Sequence, residues 1–188
     1  MRVISGKAKG KVLKAPEGFD TRPITAMMKE ALFSMWQFQL VDSSFLDLFA
    51  GSGSMGIEAI SRGAKKVVFV EKAKKACDVI KKNLKNCNFN TGYNLYQDDV
   101  FSRVELLSAQ KEKFDIIYMD PPFTVDEIFI PVLECVAKAN ILNEDGVLAI
   151  RSLKEKELPE EVYGLTKYKI KTYGISTIHF YCHSEELQ

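Results

Sequence analysis

The stretch Phe45-Leu46-Asp47-Leu48-Phe49-Ala50-Gly51-Ser52-Gly53-Ser54-Met55-Gly56 predicts a β-strand, a tight loop and the start of a helix. The apolar run at 45–49 is short and β-prone, and helix-like residues from Ile57 to Ser61 follow the last glycine. In an open α/β sheet, a strand, glycine loop and helix in this order place a ligand at the carboxyl end of the strand. The stretch therefore predicts both a fold class and the position of a site.

The rest of the chain alternates between strand-like and helix-like segments. The predicted strands share short apolar runs and cover residues 45–49, 67–70, 93–96, 114–119 and 147–150. Apolar residues recur at helical spacing in 76–84 and 128–139. We therefore expect an α/β, Rossmann-like fold with a mostly parallel sheet and helices on both faces.

Each end of the chain predicts a β-hairpin. Residues 168–173 and 175–182 are strand-like and joined only by Gly174, so they must pair antiparallel at one sheet edge. Near the N-terminus, 3–5 and 11–14 predict a small hairpin. We accordingly divide the chain into an N-terminal basic hairpin and loop at 1–23 and a domain at 24–188.

Composition fits a globular protein of one domain. The chain has 188 residues, of which 46% are hydrophobic and 27% charged, and no apolar run approaches the roughly 18 residues that a membrane span needs. A basic N-terminus without an apolar segment behind it does not match a secretory signal. These features predict a cytoplasmic protein without a membrane partner, and we expect a monomer.

The net charge is only +1, but the basic residues are concentrated in two clusters. Residues 1–14 carry no acidic side chain but five basic ones, which are Arg2, Lys7, Lys9, Lys11 and Lys14. Residues 65–85 contain eight lysines against Glu71 and Asp78. Such clusters suit a polyanion such as RNA, and they are equally typical of solvated lysine faces.

Cysteine and histidine spacing does not indicate a metal site. The four cysteines form no Cys-x-x-Cys pair, so we interpret them as reduced structural thiols. A site built from His179, Cys182 and His183 is disfavoured, because strand alternation puts Cys182 on the face opposite the histidines. We predict no metal.

Two ligands remain candidates for the glycine loop. The pattern Gly51-x-Gly53-x-x-Gly56, with Glu71 about 20 residues on, matches a dinucleotide fingerprint and permits NAD. S-adenosylmethionine has the same need for close backbone approach and for an acidic partner to its ribose. Asp47 favours S-adenosylmethionine, because a carboxylate within the strand would attract the ligand's amino group and repel a pyrophosphate.

A second loop supplies the chemistry. The strand at 114–119 runs into Asp120-Pro121-Pro122-Phe123, where two prolines end the sheet and restrict the backbone. Asp120 and the Pro121 carbonyl can accept the two hydrogens of a base amino group, and Phe123 offers a stacking face. Between the loops, an acidic residue at 98 or 99 can contact an adenine amino group, although helix capping by Asp99 is a comparable interpretation.

Over nearly its whole length the chain resembles the ribosomal-RNA small-subunit methyltransferase D family, which methylates N2 of a guanine in 16S rRNA. The segments that carry the resemblance are Arg2 to Gly6, Thr21-Arg22-Pro23, Lys29 to Phe33, Asp47 to Gly56, Asp120 to Phe123 and Gly174 to Tyr181. A departure at Ile24, where the family usually has threonine, removes a hydroxyl group.

The resemblance implies a function and a set of site residues. The implied cofactor is S-adenosylmethionine, which leaves as S-adenosylhomocysteine, and the implied partner is 16S rRNA or an assembling small ribosomal subunit. Cofactor binding is implied for Asp47, Phe49, Gly51, Ser52, Gly53, Gly56, Glu71 and Asp99. Catalysis is implied for Asp120, Pro121 and Phe123, and RNA binding for Arg2, Lys7, Lys9, Lys11 and Arg22. The alternatives are methylation of another RNA or DNA base, an NAD-dependent oxidoreductase, and an RNA-binding protein without catalysis.

Overall fold

An eight-stranded sheet forms the centre of the protein, which the computed structural model describes over residues 1–17 and 23–187. In chain order the strands are β1 Ser44–Leu48, β2 Lys66–Glu71, β3 Tyr93–Gln97, β4 Phe114–Met119, β5 Leu142–Leu153, β6 Glu161–Val162, β7 Leu165–Tyr173 and β8 Ser176–His183. Across the sheet their order is β3-β2-β1-β4-β5-β8-β7-β6. The strands from β1 to β5 are parallel and the last three are antiparallel, which confirms the predicted sheet.

Helices cover both faces of the sheet. They are α1 Ala26–Met35, α2 Gln37–Leu40, α3 Ser54–Ser61, α4 Lys74–Asn86, α5 Val100–Ala109 and α6 Phe129–Ala139. On one face α1, α3 and α4 bury residues such as Phe33, Ile57 and Ile80, and on the other α5 and α6 bury Val104 and Val132. No helix in the described parts of the chain is long and apolar enough to span a membrane.

The parallel strands follow from apolar runs that are buried on both faces. Strand β1 pairs with β2 on one side and with β4 on the other, so their carboxyl ends meet at one edge of the sheet. Backbone hydrogen bonds join these ends, from Ala50 N to Val70 O at 3.1 Å and from Asp120 N to Leu48 O at 3.2 Å. The glycine loop and the Asp120 loop are therefore neighbours.

Strand β5 is much longer than the predicted 147–150. Its first residues include polar Asn143, Glu144 and Asp145, which hide a strand pattern, and an irregularity interrupts its pairing with β4. The register resumes downstream and ends with Met119 opposite Ile150. Because of this register, Arg151 in β5 lies beside the start of the Asp120 loop.

The N-terminal segment, residues 1–14, packs onto the same core as the domain. Its two arms run antiparallel, as predicted, but they meet at a single bridge between Arg2 and Val12. The apolar side chains of Val3, Ala8 and Leu13 are buried in the core cluster of α1, α3 and α4. Since these side chains point inward, the basic residues between them point outward.

A buried carboxylate fastens this segment to α3. The side chain of Glu58 accepts hydrogen bonds from Ile4 N at 2.8 Å and Ser5 N at 3.0 Å, and it forms ion pairs with Lys29 at 3.1 Å and Arg62 at 2.8 Å. Both Glu58 and Lys29 are buried, at 0% and 3% exposure. The charges of the cluster are therefore compensated by one another rather than by water.

Candidate functional site

The glycine loop is shaped by positive-φ backbone and a close helix contact. Gly51 and Gly53 have φ angles of +56° and +74°. Gly53 is the N-cap residue of α3, which has no side-chain cap. A Cβ atom at Gly56 would lie 2.2 Å from the buried ring of Phe69, so the close approach of α3 to β2 requires glycine there. The first turn of α3 consequently lies directly at the end of β1.

Asp47 holds this turn from inside the strand. Its Oδ2 accepts a hydrogen bond from Gly56 N at 2.9 Å, and the side chain is buried. The structure thus gives Asp47 a backbone amide as a partner, and its contact with a ligand amino group stays a prediction. The second carboxylate oxygen accepts no hydrogen bond from the described residues, so a ligand can share the group.

Glu71 fixes the opposite side of the loop. One carboxylate oxygen accepts from Gly51 N at 2.8 Å and the other from Ala73 N at 2.8 Å. Both bonds leave lone pairs on the oxygens, because a carboxylate offers about four acceptor positions. Glu71 therefore lies where the glycine-loop interpretation places a ribose diol.

Three carboxylates converge at this edge of the sheet. Burial raises the pKa of Asp47 well above its usual range; the Gly56 hydrogen bond opposes the shift, while Asp120 and Glu71 add to it. Among residues 1–17 and 23–187, neither Asp47 nor Glu71 forms an ion pair, and Asp120 pairs with Arg151. A cationic ligand would stabilise the ionised form of these carboxylates, whereas a pyrophosphate would oppose it, so the residues fit S-adenosylmethionine better than NAD.

Arg151 organises the Asp120 loop, although no sequence motif marks it. Its Nη1 donates to Asp120 Oδ2 at 3.0 Å, its Nη2 donates to Ser176 Oγ at 3.2 Å, and its guanidinium lies 4.9 Å from the centroid of the Phe123 ring. The Tyr118 hydroxyl also donates to Asp120, at 3.4 Å. Arg151 is 4% exposed, so one buried cation positions both the carboxylate and the ring.

Two opposing effects act on the pKa of Asp120. Burial raises the pKa of Asp120, whereas the Arg151 guanidinium and the hydrogen bonds from Arg151 and Tyr118 lower it. The carboxylate is 25% exposed, so it can meet a substrate. Its neighbour Pro121 is buried, and Phe123 is partly exposed. The loop thus presents an acceptor and an aromatic face on a restrained backbone.

The two acidic residues after β3 have different partners. Asp98 pairs with Arg103 at 2.8 Å, while Asp99 Oδ1 caps α5 by accepting from Phe101 N at 3.0 Å. Asp99 Oδ2 lies 3.4 Å from the exposed ammonium of Lys72. The structure confirms that Asp99 caps α5. The second oxygen is accessible, and its contact with an adenine amino group stays a prediction.

The predicted RNA-binding residues that the structure describes all lie on the N-terminal segment. The side chains of Arg2, Lys7, Lys9 and Lys11 are exposed, and Arg22 lies outside the described residues. The segment also contacts the glycine-loop region, since Lys29 Nζ donates to Arg2 O at 2.7 Å and to Ser54 Oγ at 3.1 Å. Within the described ranges, no group of three or more His, Cys, Asp or Glu side chains could hold a metal ion.

Comparison with known proteins places this site in a family. The profile of the family described as conserved hypothetical protein 95 matches residues 1–182. A Bacillus subtilis (strain 168) protein, named as a candidate rRNA methyltransferase, is 36% identical over 181 residues, covering 96% of this chain and 98% of its own. Ribosomal RNA small subunit methyltransferase D of Haemophilus influenzae is 32% identical over 187 residues, covering 96% and 93%.

A solved structure supports the same placement. The Escherichia coli protein yhhF, described as a candidate methyltransferase, superposes with a TM-score of 0.84 and 26% identity over 97% of each chain. The fold is therefore that of methyltransferases.

Proposed function

Since the chain belongs to the ribosomal RNA small-subunit methyltransferase D family, we propose that it transfers a methyl group from S-adenosylmethionine to the exocyclic N2 amino group of a guanine in 16S rRNA. The observation that carries the proposal is the meeting of the glycine loop and the Asp120 loop at adjacent strand ends, joined by the bond from Asp120 N to Leu48 O. Methyl donor and acceptor sites are then side by side.

The cofactor supplies the methyl group on a sulfonium when it is bound. In our proposal Glu71 accepts hydrogen bonds from the ribose hydroxyls, and the loop from Phe49 to Gly53 lies against the methionine part with Asp47 beneath it. Asp99 Oδ2, which does not cap α5 and whose contact with Lys72 is exposed, would accept a hydrogen bond from the adenine amino group. These roles agree with the acidic character of the site, because in each of them a carboxylate binds a cation or accepts a hydrogen bond.

Asp120 and Phe123 act on the base in this proposal. An exocyclic amino group is a weak nucleophile because its lone pair is delocalised into the ring. A hydrogen bond from the amino group to Asp120, with a second to the Pro121 carbonyl, localises the lone pair on the nitrogen. When the nitrogen takes the methyl group, the bond from that methyl group to the sulfonium sulfur breaks, and Asp120 would accept the proton that the nitrogen releases. Phe123 stacks on the extruded base with the face that Arg151 does not cover.

Arg151 is a positioning residue whose removal should slow transfer. We expect Arg151→Met to lower kcat by about 10- to 100-fold, because Asp120 and Phe123 lose their common support. Loss of the guanidinium should also raise the pKa of Asp120, so the decline of activity at acidic pH should move to higher pH. Measurement of kcat across a range of pH gives both the loss of turnover and the shift of the acidic limb.

Arg151→Lys provides the matched comparison for that prediction. It keeps the charge but loses the planar group that reaches Asp120 and Ser176 together, so we expect the acidic limb to return toward the wild-type position while kcat recovers only in part. An unshifted pH profile in Arg151→Met would show that Arg151 supports the fold and not the carboxylate.

Methyl transfer to RNA tests the proposal directly. The protein is incubated with S-adenosylmethionine labelled in its methyl group, together with 16S rRNA, assembling small subunits, DNA or protein extract. We expect label in 16S rRNA, either free or in the particle. Label only in DNA or protein would refute the proposal, and tight binding of NADH in calorimetry, with none of S-adenosylhomocysteine, would refute the cofactor.

A further inference from the structure

The exposed face of α4 is a dense row of unpaired cations. The helix contains Lys74, Lys75, Lys81, Lys82 and Lys85, against Asp78 as the single acidic residue of this fully described element. All five lysines are exposed, and none forms an ion pair with a described residue. From Lys74 to Lys85 the row extends about 17 Å at 1.5 Å per residue.

The N-terminal segment is docked against this helix by two asparagines. Asn83 accepts from Lys14 N at 2.9 Å and donates to Lys14 O at 2.9 Å, while Asn86 donates to Val12 O at 2.9 Å. Asn83 is buried at 1% exposure and also donates to Ser52 O in the glycine loop, at 2.9 Å. The two basic clusters, which are distant in sequence, are therefore held next to one another.

Docking joins the clusters into one basic surface, which consists of Lys7, Lys9, Lys11 and Lys14 of the segment with Lys74, Lys75, Lys81, Lys82 and Lys85 of α4. None of these side chains forms an ion pair with a described residue, unlike Lys66 and Lys72 nearby, which pair with Glu112 and Asp99. Unpaired lysines in such number repel one another, and a polyanion that displaces their counterions relieves the repulsion.

We propose that the basic surface binds the phosphate backbone of an RNA helix that flanks the methylated base. The inference rests on the proposed function, which supplies RNA as the polyanion, and it adds the α4 face as a binding surface separate from the Asp120 loop. Helix α4 begins at Lys74, three residues after the carboxyl end of β2, so its first turn lies at the sheet edge that carries the Asp120 loop and one RNA can contact both. Contacts with phosphates do not depend on the base sequence of the RNA, so in this proposal the methylated base is selected at the Asp120 loop.

Charge reversal on α4 tests this surface. For Lys81→Glu/Lys85→Glu we expect KM for the RNA substrate to rise at least about 10-fold near physiological salt, with kcat and the dissociation constant of S-adenosylhomocysteine unchanged. In binding measurements, the slope of log affinity against log salt concentration should decrease in magnitude by about 1.5, since each lost phosphate contact removes about 0.7 to 0.9.

A control with the same change in charge separates specific from general effects. Lys111→Glu/Lys169→Glu alters two exposed lysines, one just after α5 and one on β7 at the far side of the sheet from α4, and should leave KM and the salt slope as in wild type. If the α4 variant also keeps wild-type KM and slope, the basic surface does not bind RNA. If wild-type protein transfers no methyl group to any RNA, the proposed function itself fails. Equal losses in both variants would show an effect of net charge and overturn the assignment to α4.

Discussion

Asp120→Ala is expected to lower kcat for methyl transfer by about 10³-fold. Losses of this size are found when a group that accepts a proton or stabilises charge in the transition state is removed. The carboxylate is the one acidic group that lies at the end of β4, is partly exposed and is held by Arg151. Removal of the side chain leaves the amino group without its acceptor, whereas the glycine loop keeps its hydrogen bonds to Asp47 and Glu71. Single-turnover rates with labelled cofactor measure the loss.

The cofactor affinity should be followed with S-adenosylhomocysteine, because its sulfur carries no charge and is insensitive to the lost carboxylate. Asp126→Ala is a suitable control, since Asp126 follows the same loop but is 74% exposed, and among the described residues its ion pair is with Lys156. We expect it to keep full turnover. Turnover of Asp120→Ala within a few-fold of wild type would remove the proposed mechanism, whereas a protein that only binds RNA would show no turnover in either form.

The second large effect concerns stability. Glu58→Gln should decrease the free energy of unfolding by about 3 kcal/mol, because it leaves the buried ammonium of Lys29 without its counter-charge. Burial already lowers the pKa of Lys29, and the Glu58 carboxylate opposes that shift. Glutamine keeps only one acceptor oxygen, so one of the two backbone amides, Ile4 N or Ser5 N, loses its acceptor as well. Urea unfolding with an unchanged m-value measures the change.

Glu30→Gln supplies the comparison for Glu58. Glu30 bonds the same Arg62 side chain at 2.7 Å, but its own side chain is 47% exposed, so we expect a loss below about 1 kcal/mol. Equal losses for the two variants would mean that the buried cluster contributes no more than a surface ion pair. Faster proteolysis near residue 5 in Glu58→Gln alone would further support detachment of the segment.

The strands that the sequence predicts most accurately are continuous apolar runs. Strands β1, β2 and β4 are buried on both faces, and their predicted limits differ from the observed ones by one residue at most. Strand β5 was predicted too short, since Asn143 to Asp145 carry no strand pattern and their pairing is irregular. Patterns of hydrophobicity thus identify the regular part of the sheet and not its interruptions.

The site was predictable where a short motif carries the chemistry. The glycine loop and the Asp120 loop lie at one sheet edge, because each follows the carboxyl end of a parallel strand. Arg151 was missed because its partner is 31 residues away and only the register of β5 against β4 brings them together. The backbone partner of Asp47 was missed for a similar reason, since the turn of α3 returns Gly56 to the strand.

The basic clusters show a different limit. Sequence alone gave two groups of lysines with two interpretations each, because neither spacing nor composition tells which lysines find carboxylates. The structure separates Lys66 and Lys72, which are paired, from the α4 lysines, which form no ion pair with residues 1–17 or 23–187. Docking through Asn83 is a long-range contact of 69 residues in separation, which no local pattern contains.

The identity of the modified nucleoside tests the central claim most directly. 16S rRNA or small subunits from a strain without the gene are incubated with the protein and S-adenosylmethionine, digested to nucleosides and analysed by mass spectrometry. Our account predicts one new methyl group per RNA, recovered as N2-methylguanosine and absent with Asp120→Ala. Recovery of a methylated adenine or cytosine instead, or of no methylated nucleoside, would contradict it.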